Sequence, residues 1–294
     1  MMKVAVIGSK GYIGKHIVKY LADHYQITAI GYDIANSNES NYHKVDLTDR
    51  ESIRLIDLNV DYIFNFAGLT GTYAGFDSYK NYVNTNEMSL LNILDAIRKS
   101  GYKPKVIFPS TRLVYKGIDK PLKETDEKES KTIYAANKLA CEGYLQAFYE
   151  SFDIPYSIFR ICIPYGNLFS SDYSFGTVGF FIKQAQSGKD ITLYGGGNIK
   201  RTFTHIEDLC RQILEGAFQP ESNGEIYNIG GETLSLKAAA EIIASKYGVN
   251  VVAVSWPERD FRIESGHTYF DDSKIQSLLH FGHYKKLIEF SNDL

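Results

Sequence analysis

Cysteine is scarce in this chain of 294 residues: there are three, an odd number, each within an apolar segment. Cys141, Cys162 and Cys210 therefore form no disulfide framework and read as small core residues in a reducing compartment. Long apolar runs are missing too. No stretch approaches the ~20 apolar residues of a membrane-spanning helix. The N-terminal "MMKVAVIGSKG" enters a strand-like segment without the apolar run and small-residue cleavage site of a signal peptide. A cytoplasmic location and no membrane partner are the expectations. Charge of one sign is also in short supply. A net charge of −3 with no dense Lys/Arg run argues against nucleic acid as the main partner. The lysines of 116–131 alternate with Glu and Asp and read as a solvated loop. What remains, 44% apolar and 23% charged residues, is an ordinary globular composition with enough chain for a large core.

The first half alternates strand and helix. "KVAVIG" (3–8), "QITAIGYD" (26–33), "NYHKVDL" (41–47), "VDYIFNFAG" (60–68), "PKVIFPST" (104–111) and "PYSIFRICI" (155–163) read as strands. Helical spacing marks 12–25, a segment 48–58 opened by Thr48 and Glu51 at capping-box spacing, about 79–100, and about 132–152. Strands separated by such helices imply an α/β fold of Rossmann type, a doubly wound parallel sheet covered on both faces. Beyond Tyr165 the pattern loosens, and "YGGGN" (194–198) marks a turn. The expected division is a dinucleotide-binding domain over 1–166, to which 202–230 returns. A smaller C-terminal α/β substrate-binding region is then built from 167–201 and 231–294, set at the carboxyl edge of the sheet, where open α/β sheets bind ligands.

"GSKGYIG" puts Gly8, Gly11 and Gly14 between the first strand and first helix. Glycines let backbone approach a pyrophosphate, and a helix N-terminus presents free N–H groups and partial positive charge. Asp33 ends the second strand about 20 residues past the glycine run, where a carboxylate can accept from ribose hydroxyls; a loop cap is the alternative. A carboxylate there repels a 2′-phosphate, so NAD is preferred to NADP, although Lys10 pulls the other way.

The glycine run with Asp33 is followed in order by "VDL" (45–47), "NFAG" (65–68), "TNEMSLLNILDAI" (85–97), "PSTRLVY" (109–115) and "YAANK" (134–138). "RICIPYG" (160–166), "RTFTHIEDL" (201–209), "YNIGG" (227–231) and "DDSK" (271–274) come after. Together they resemble an extended short-chain dehydrogenase/reductase of the NAD-dependent nucleotide-sugar epimerase/dehydratase type, over nearly the whole chain. The resemblance implies cofactor contacts from Gly8, Gly11, Tyr12, Ile13, Gly14, Asp33, Asp46, Leu47, Phe66, Ala67, Gly68 and Asn86, and from Tyr134 and Lys138. Asp46 equally suits a strand-end turn, Ala67–Gly68 tight packing, and Asn86 a buried structural amide. Thr111 falls at the catalytic Ser/Thr position, and Tyr134 and Lys138 match the Tyr-xxx-Lys pair. Hydride transfer at an alcohol carbon requires a proton to leave or join its oxygen. A phenol of pKa ~10 is a poor base at neutral pH, but an ammonium four residues on shares its helical face and can lower that pKa. Thr111 would hold the same oxygen in line. The alternative is a helix face meeting a core. The resemblance further implies a nucleotide-diphosphate sugar as partner, held by Thr111, by Arg201 and by Arg262 with Arg259 as competitor, and a homodimer paired through 79–100 and 132–152. His205 is expected to be structural. His280 and His283 lack supporting carboxylates or thiols, so no metal is expected.

Sugar 4,6-dehydratases of this family carry an acidic pair after the catalytic Thr. Arg112 and Leu113 stand there instead, which argues against dehydration; Arg112 also argues against the 3,5-epimerising reductases, which place a Cys there. Ile163 replaces an Asn that contacts the sugar nucleotide in some members. Epimerisation through a transient keto sugar, typically at C4, is preferred. Single reduction of a 4-keto-6-deoxy sugar, and a non-catalytic dinucleotide sensor, are the alternatives.

Overall fold

The computed structural model describes residues 2–169, 175–279 and 282–294. Seven strands form one parallel sheet: β1 (Val4–Ile7), β2 (Ile30–Asp33), β3 (Tyr42–Lys44), β4 (Tyr62–Asn65), β5 (Lys105–Thr111), β6 (Tyr156–Ile161) and, from late in the chain, Glu225–Asn228. The order runs from Glu225–Asn228 through β6, β5, β4, β1 and β2 to β3. Alternate residues of the central strands point to opposite faces. Ala5, Ile7, Ile63 and Val106 meet helices Ser89–Ser100 and Ile133–Phe152. Val4, Val6, Phe64 and Ile107 meet helices Tyr12–Tyr25 and Ile206–Phe218. Near-continuous burial of β1 and β5 follows, because helices cover both faces. The chain passes from β1 to β2 and β3 on one side, then to β4 on the other. That reversal opens a crevice at the carboxyl ends of the strands.

β6 ends at Ile161, one residue before Cys162, and β7 (Ile163–Tyr165) belongs to a different sheet. The single strand expected over 155–163 is therefore two. β7 pairs with β8 (Lys200–His205), which pairs antiparallel with β9 (Glu232–Ser235). These strands and helices Gly176–Gln186 and Leu236–Tyr247 enclose a third apolar core containing Phe181, Phe203 and Ile243.

Other boundaries moved for local reasons. Gln26 adopts φ 56 as the C-cap of the first helix, its N–H bonded to Leu21 O, so the second strand starts only at Ile30. Helix Arg50–Ile53 is one turn long and is capped by Asp49, whose side chain accepts from Glu51 N–H. The capping box expected at Thr48 does not form: Thr48 N–H and hydroxyl both donate to Asp46 Oδ1. The helical run over 79–100 contains a π-helical segment, Val83–Met88.

Candidate active site

Gly8 leaves β1 at φ +79, and a Cβ there would lie 2.5 Å from Ala67 N, so only glycine lets this loop lie against the loop after β4. Gly11 caps the first helix without any side-chain acceptor, leaving its first-turn N–H groups to a ligand. Gly14 seats the helix on that loop, since its Cβ would come within 2.1 Å of Gly8 O. A cavity of about 620 Å³ opens here, lined by Gly8, Gly11, Asp33, Asp46, Leu47 and the run Phe66–Gly68. Asp33 accepts from Lys10 N–H at 2.8 Å and Ala35 N–H at 3.3 Å, which fixes the carboxylate at the rim. Lys10 Nζ is held 2.6 Å from Glu39 and 4.9 Å from the Tyr42 ring centroid. A glycine cradle, an uncapped helix N-terminus and a rim carboxylate fit a dinucleotide with an unphosphorylated ribose.

Six residues expected at the cofactor, Tyr12, Ile13, Gly14, Asn86, Tyr134 and Lys138, do not line this cavity. Tyr12 donates its hydroxyl to Gly166 O at 2.7 Å, and Ile13 packs on the core beside the first helix. Asn86 acts one step back. Its Oδ1 accepts from Leu69 N–H at 2.7 Å and its Nδ2 donates to Leu69 O at 3.1 Å, which fixes the backbone beside Gly68. The neighbouring Asn84 and Thr85 face the cavity, a rotation consistent with the π-helical turn carrying all three.

Thr111 is the last residue of β5 and Tyr134 the second of helix Ile133–Phe152, whose N-cap Thr132 accepts from Ala135 N–H. The Thr111 side chain lies near enough to the Tyr134 phenol to favour its ionisation. Lys138 lies one turn on, buried, its Nζ donating to Pro109 O at 2.8 Å. It sits 4.3 Å from the Phe108 ring centroid and 5.9 Å from that of Tyr134. Burial lowers Lys138 to about 8. The Tyr134 phenol is shifted upward, chiefly by burial, with nearby Thr111 acting the other way. This differs from the expected lowering by Lys138: the ammonium is directed at a β5 carbonyl rather than at the phenolic oxygen.

Behind these residues lies a buried network that the sequence reading missed. Arg160 donates through Nε and Nη2 to the two carboxylate oxygens of Glu142, at 2.9 and 2.6 Å. Ser110 donates to Glu142, and Arg160 reaches the Tyr115 hydroxyl, which donates to Asn228. A lone carboxylate in "LACEGYL" and a lone cation in "SIFRICI" were the available signals.

A second cleft, about 270 Å³, is lined by Arg112, Ile163, Tyr194, Arg201, Trp256 and Glu264, among others. Arg201 is buried, donating to Lys200 O, Gly266 O and, at 2.6 Å, to Glu264. Arg262 does not line it: on the short helix Glu258–Ile263 it pairs with Glu258, away from the cleft-facing Asp260 and Ile263. Residues two apart on a helix point to opposite sides, which explains the difference. Arg259 stacks on Tyr73 at 3.8 Å. Arg112, argued only as an absence of acid, is the cation the cleft contains besides Arg201. His205 caps helix Ile206–Phe218 by accepting from Glu207 N–H, and burial lowers its pKa to about 3. Among the described residues no His/Cys/Asp/Glu group is arranged to hold a metal; His280 lies outside them. No described helix is long and apolar enough to cross a membrane.

Residues 4–230 match the NAD dependent epimerase/dehydratase family. The chain belongs to that family, an enzyme family of the extended short-chain dehydrogenase/reductase type. It is 26% identical, over 95% of this chain and 92% of the other, to a Bacillus subtilis protein described as an uncharacterized UDP-glucose epimerase, YtcB. It is also 26% identical to dTDP-D-glucose 4,6-dehydratase of Mus musculus, over 78% of this chain and 68% of that one. Its fold is that of Thermus thermophilus UDP-glucose 4-epimerase, solved with NAD, at a TM-score of 0.82 and 22% identity over 99% and 98% of the two chains.

Proposed function

We propose that this chain is an NAD-dependent nucleotide-sugar epimerase acting through a transient keto sugar, at C4, with Tyr134 as its acid/base. The observation that carries the reading is the convergence of Thr111, at the end of β5, with Tyr134, at the start of helix Ile133–Phe152, with Lys138 buried one turn behind. NAD, when bound, supplies the acceptor and donor of hydride. The cradle at Gly8 and Gly11 would hold its pyrophosphate and Asp33 its adenosine ribose. Tyr134, as its phenolate, would take the proton of the sugar hydroxyl and return it after the ring has turned over. Thr111 keeps that oxygen in line, and the Lys138 charge favours the phenolate while it exists. Arg112 and Leu113 cannot perform the proton transfers of water elimination, which supports epimerase over dehydratase. The Glu39 partner of Lys10 supports NAD over NADP, since that cation is already answered. Exposed Tyr79 and Phe152 on helices Tyr79–Tyr82 and Ile133–Phe152 support pairing of two copies across that face.

The test is the purified protein with a panel of nucleotide sugars. It should carry bound NAD and interconvert epimers without added reductant, and Tyr134→Phe should lower kcat about 10³-fold. Stoichiometric consumption of reduced cofactor would turn the reading to a ketoreductase. Undiminished turnover by Tyr134→Phe would remove it.

A further inference from the structure

We propose that Arg112 makes the second cleft selective for a nucleotide sugar bearing a carboxylate on its reacting ring, over the neutral hexose. The inference rests on the nucleotide-sugar reading above and names its substrate class. Arg112 follows Thr111 directly in the chain and lines the cleft, and its charge acts on the Tyr134 phenol. Its hydrogen bonds, to Ser265 Oγ and Thr268 Oγ1 at 3.0 Å each, both use Nη1. The Nη2 and Nε edge carries no bond to a described residue, and no described carboxylate lies within ion-pair distance of the guanidinium.

The other charges around the cleft are answered. Arg201 pairs with Glu264 at 2.6 Å, and Asp260 with Arg259 at 3.6 Å. Among the described residues of the cleft, one positive charge is therefore left, and it is Arg112. Its effect is felt next door: burial, and then the nearness of Arg112, lower Arg201 to about 10. An anion between the two guanidiniums would relieve that repulsion. A free guanidinium edge matches a carboxylate through two parallel N–H···O bonds, a geometry no sugar hydroxyl reproduces. The competing reading is a clasp, in which Arg112 only ties the end of β5 to Ser265 and Thr268.

The experiment measures binding of UDP-glucuronate and UDP-glucose to the NAD-loaded protein by calorimetry, in a Tyr134→Phe background that prevents turnover. With Arg112 present, the charged sugar should bind about 10- to 100-fold more tightly, the range expected for hydrogen bonds between charged groups. The preference should weaken with salt. Arg112→Gln should bring the ratio to within about threefold, and Arg112→Lys, a point charge without the fork, should keep part of it. Equal binding of the two sugars, or an equal loss of both in Arg112→Gln, overturns the proposal in favour of the clasp. If Arg112→Gln fails to fold, the ratio and its salt dependence with Arg112 in place decide alone. Failure of both sugars to bind would defeat the nucleotide-sugar reading itself, a result distinct from a ratio near one.

Discussion

The two clefts are built by different means. The cofactor cavity draws its lining from residues between Ile7 and Thr85, and its decisive features are backbone: a glycine at positive φ, an uncapped helix N-terminus and one fixed carboxylate. The second cleft gathers side chains from Thr72 to Ser265, and its character is set by which charges find partners. A site made of backbone follows from local chain geometry. A site made of distant side chains depends on the whole fold, and its specificity can change while the scaffold stays.

The largest effect should come from neither cleft but from the buried ion pair near Thr111. Glu142 and Arg160 are both buried and joined by two hydrogen bonds beneath the ends of β5 and β6. Glu142→Leu leaves a guanidinium that stays charged at any accessible pH, at a cost of about 3–5 kcal/mol. Urea unfolding should show that loss, and the double variant Glu142→Leu/Arg160→Met should recover much of it. If the single variant unfolds at the unmodified midpoint, the buried pair contributes nothing to stability.

A second substitution separates the regions. Gly8→Ala forces a Cβ into a residue at φ +79, against Ala67 N. The strain is about 1–3 kcal/mol and falls on the cofactor cavity. NAD affinity should drop, while UDP, proposed to bind in the second cleft, should bind within about twofold of the unaltered protein. Equal loss of both ligands would mean that the two clefts are not independent.

Acid should reveal a third difference. His205, buried under Gly166 at the start of helix Ile206–Phe218, has its pKa lowered to about 3 by burial, with the Lys285 charge acting the same way. The unfolded chain takes up a proton near pH 6.5 that the folded chain refuses, so stability falls as pH drops below that value. Between pH 7 and pH 5 the loss is about 2 kcal/mol. His205→Gln should flatten that part of the pH–stability curve, measured by urea midpoints. An unchanged slope would assign the acid sensitivity to other groups.

The sequence was informative where local rules decide the outcome. The first helix begins and ends where its periodicity and glycines say, at Tyr12 and Tyr25, and the crevice at the sheet reversal follows from strand–helix alternation. Thr111, Tyr134 and Lys138 could be named from motif order, and they converge. The direction of the Lys138 ammonium could not be read, because it depends on the Pro109 carbonyl of a strand 29 residues earlier. Neither could the fate of the arginines. Nothing near Arg201 announces that Glu264, 63 residues on, occupies it. Nothing near Arg262 says that its helix turns it outward. The break at Cys162 was hidden in an unbroken apolar run, since both halves are buried, in different sheets.

The smallest effect expected is also the sharpest test of the cofactor end. Both carboxylate oxygens of Asp33 already accept one backbone N–H, from Lys10 and Ala35, so the side chain is positioned before any ligand arrives. Each oxygen keeps a second lone pair for a ribose hydroxyl. Asp33→Ala removes that acceptor and the negative charge that repels a 2′-phosphate. NAD affinity should fall about tenfold, the worth of one charge-assisted hydrogen bond, and NADP affinity should rise. Asp33→Asn should keep the accepting oxygen and lose the charge, so NAD binding falls less while tolerance of NADP still improves. Fluorescence titration with both cofactors distinguishes the two contributions. If the alanine variant keeps the original preference for NAD, Asp33 is a loop cap and selectivity lies elsewhere in the cavity. The Lys10–Glu39 pair would be the next place to look, because freeing that ammonium would supply the cation a 2′-phosphate needs.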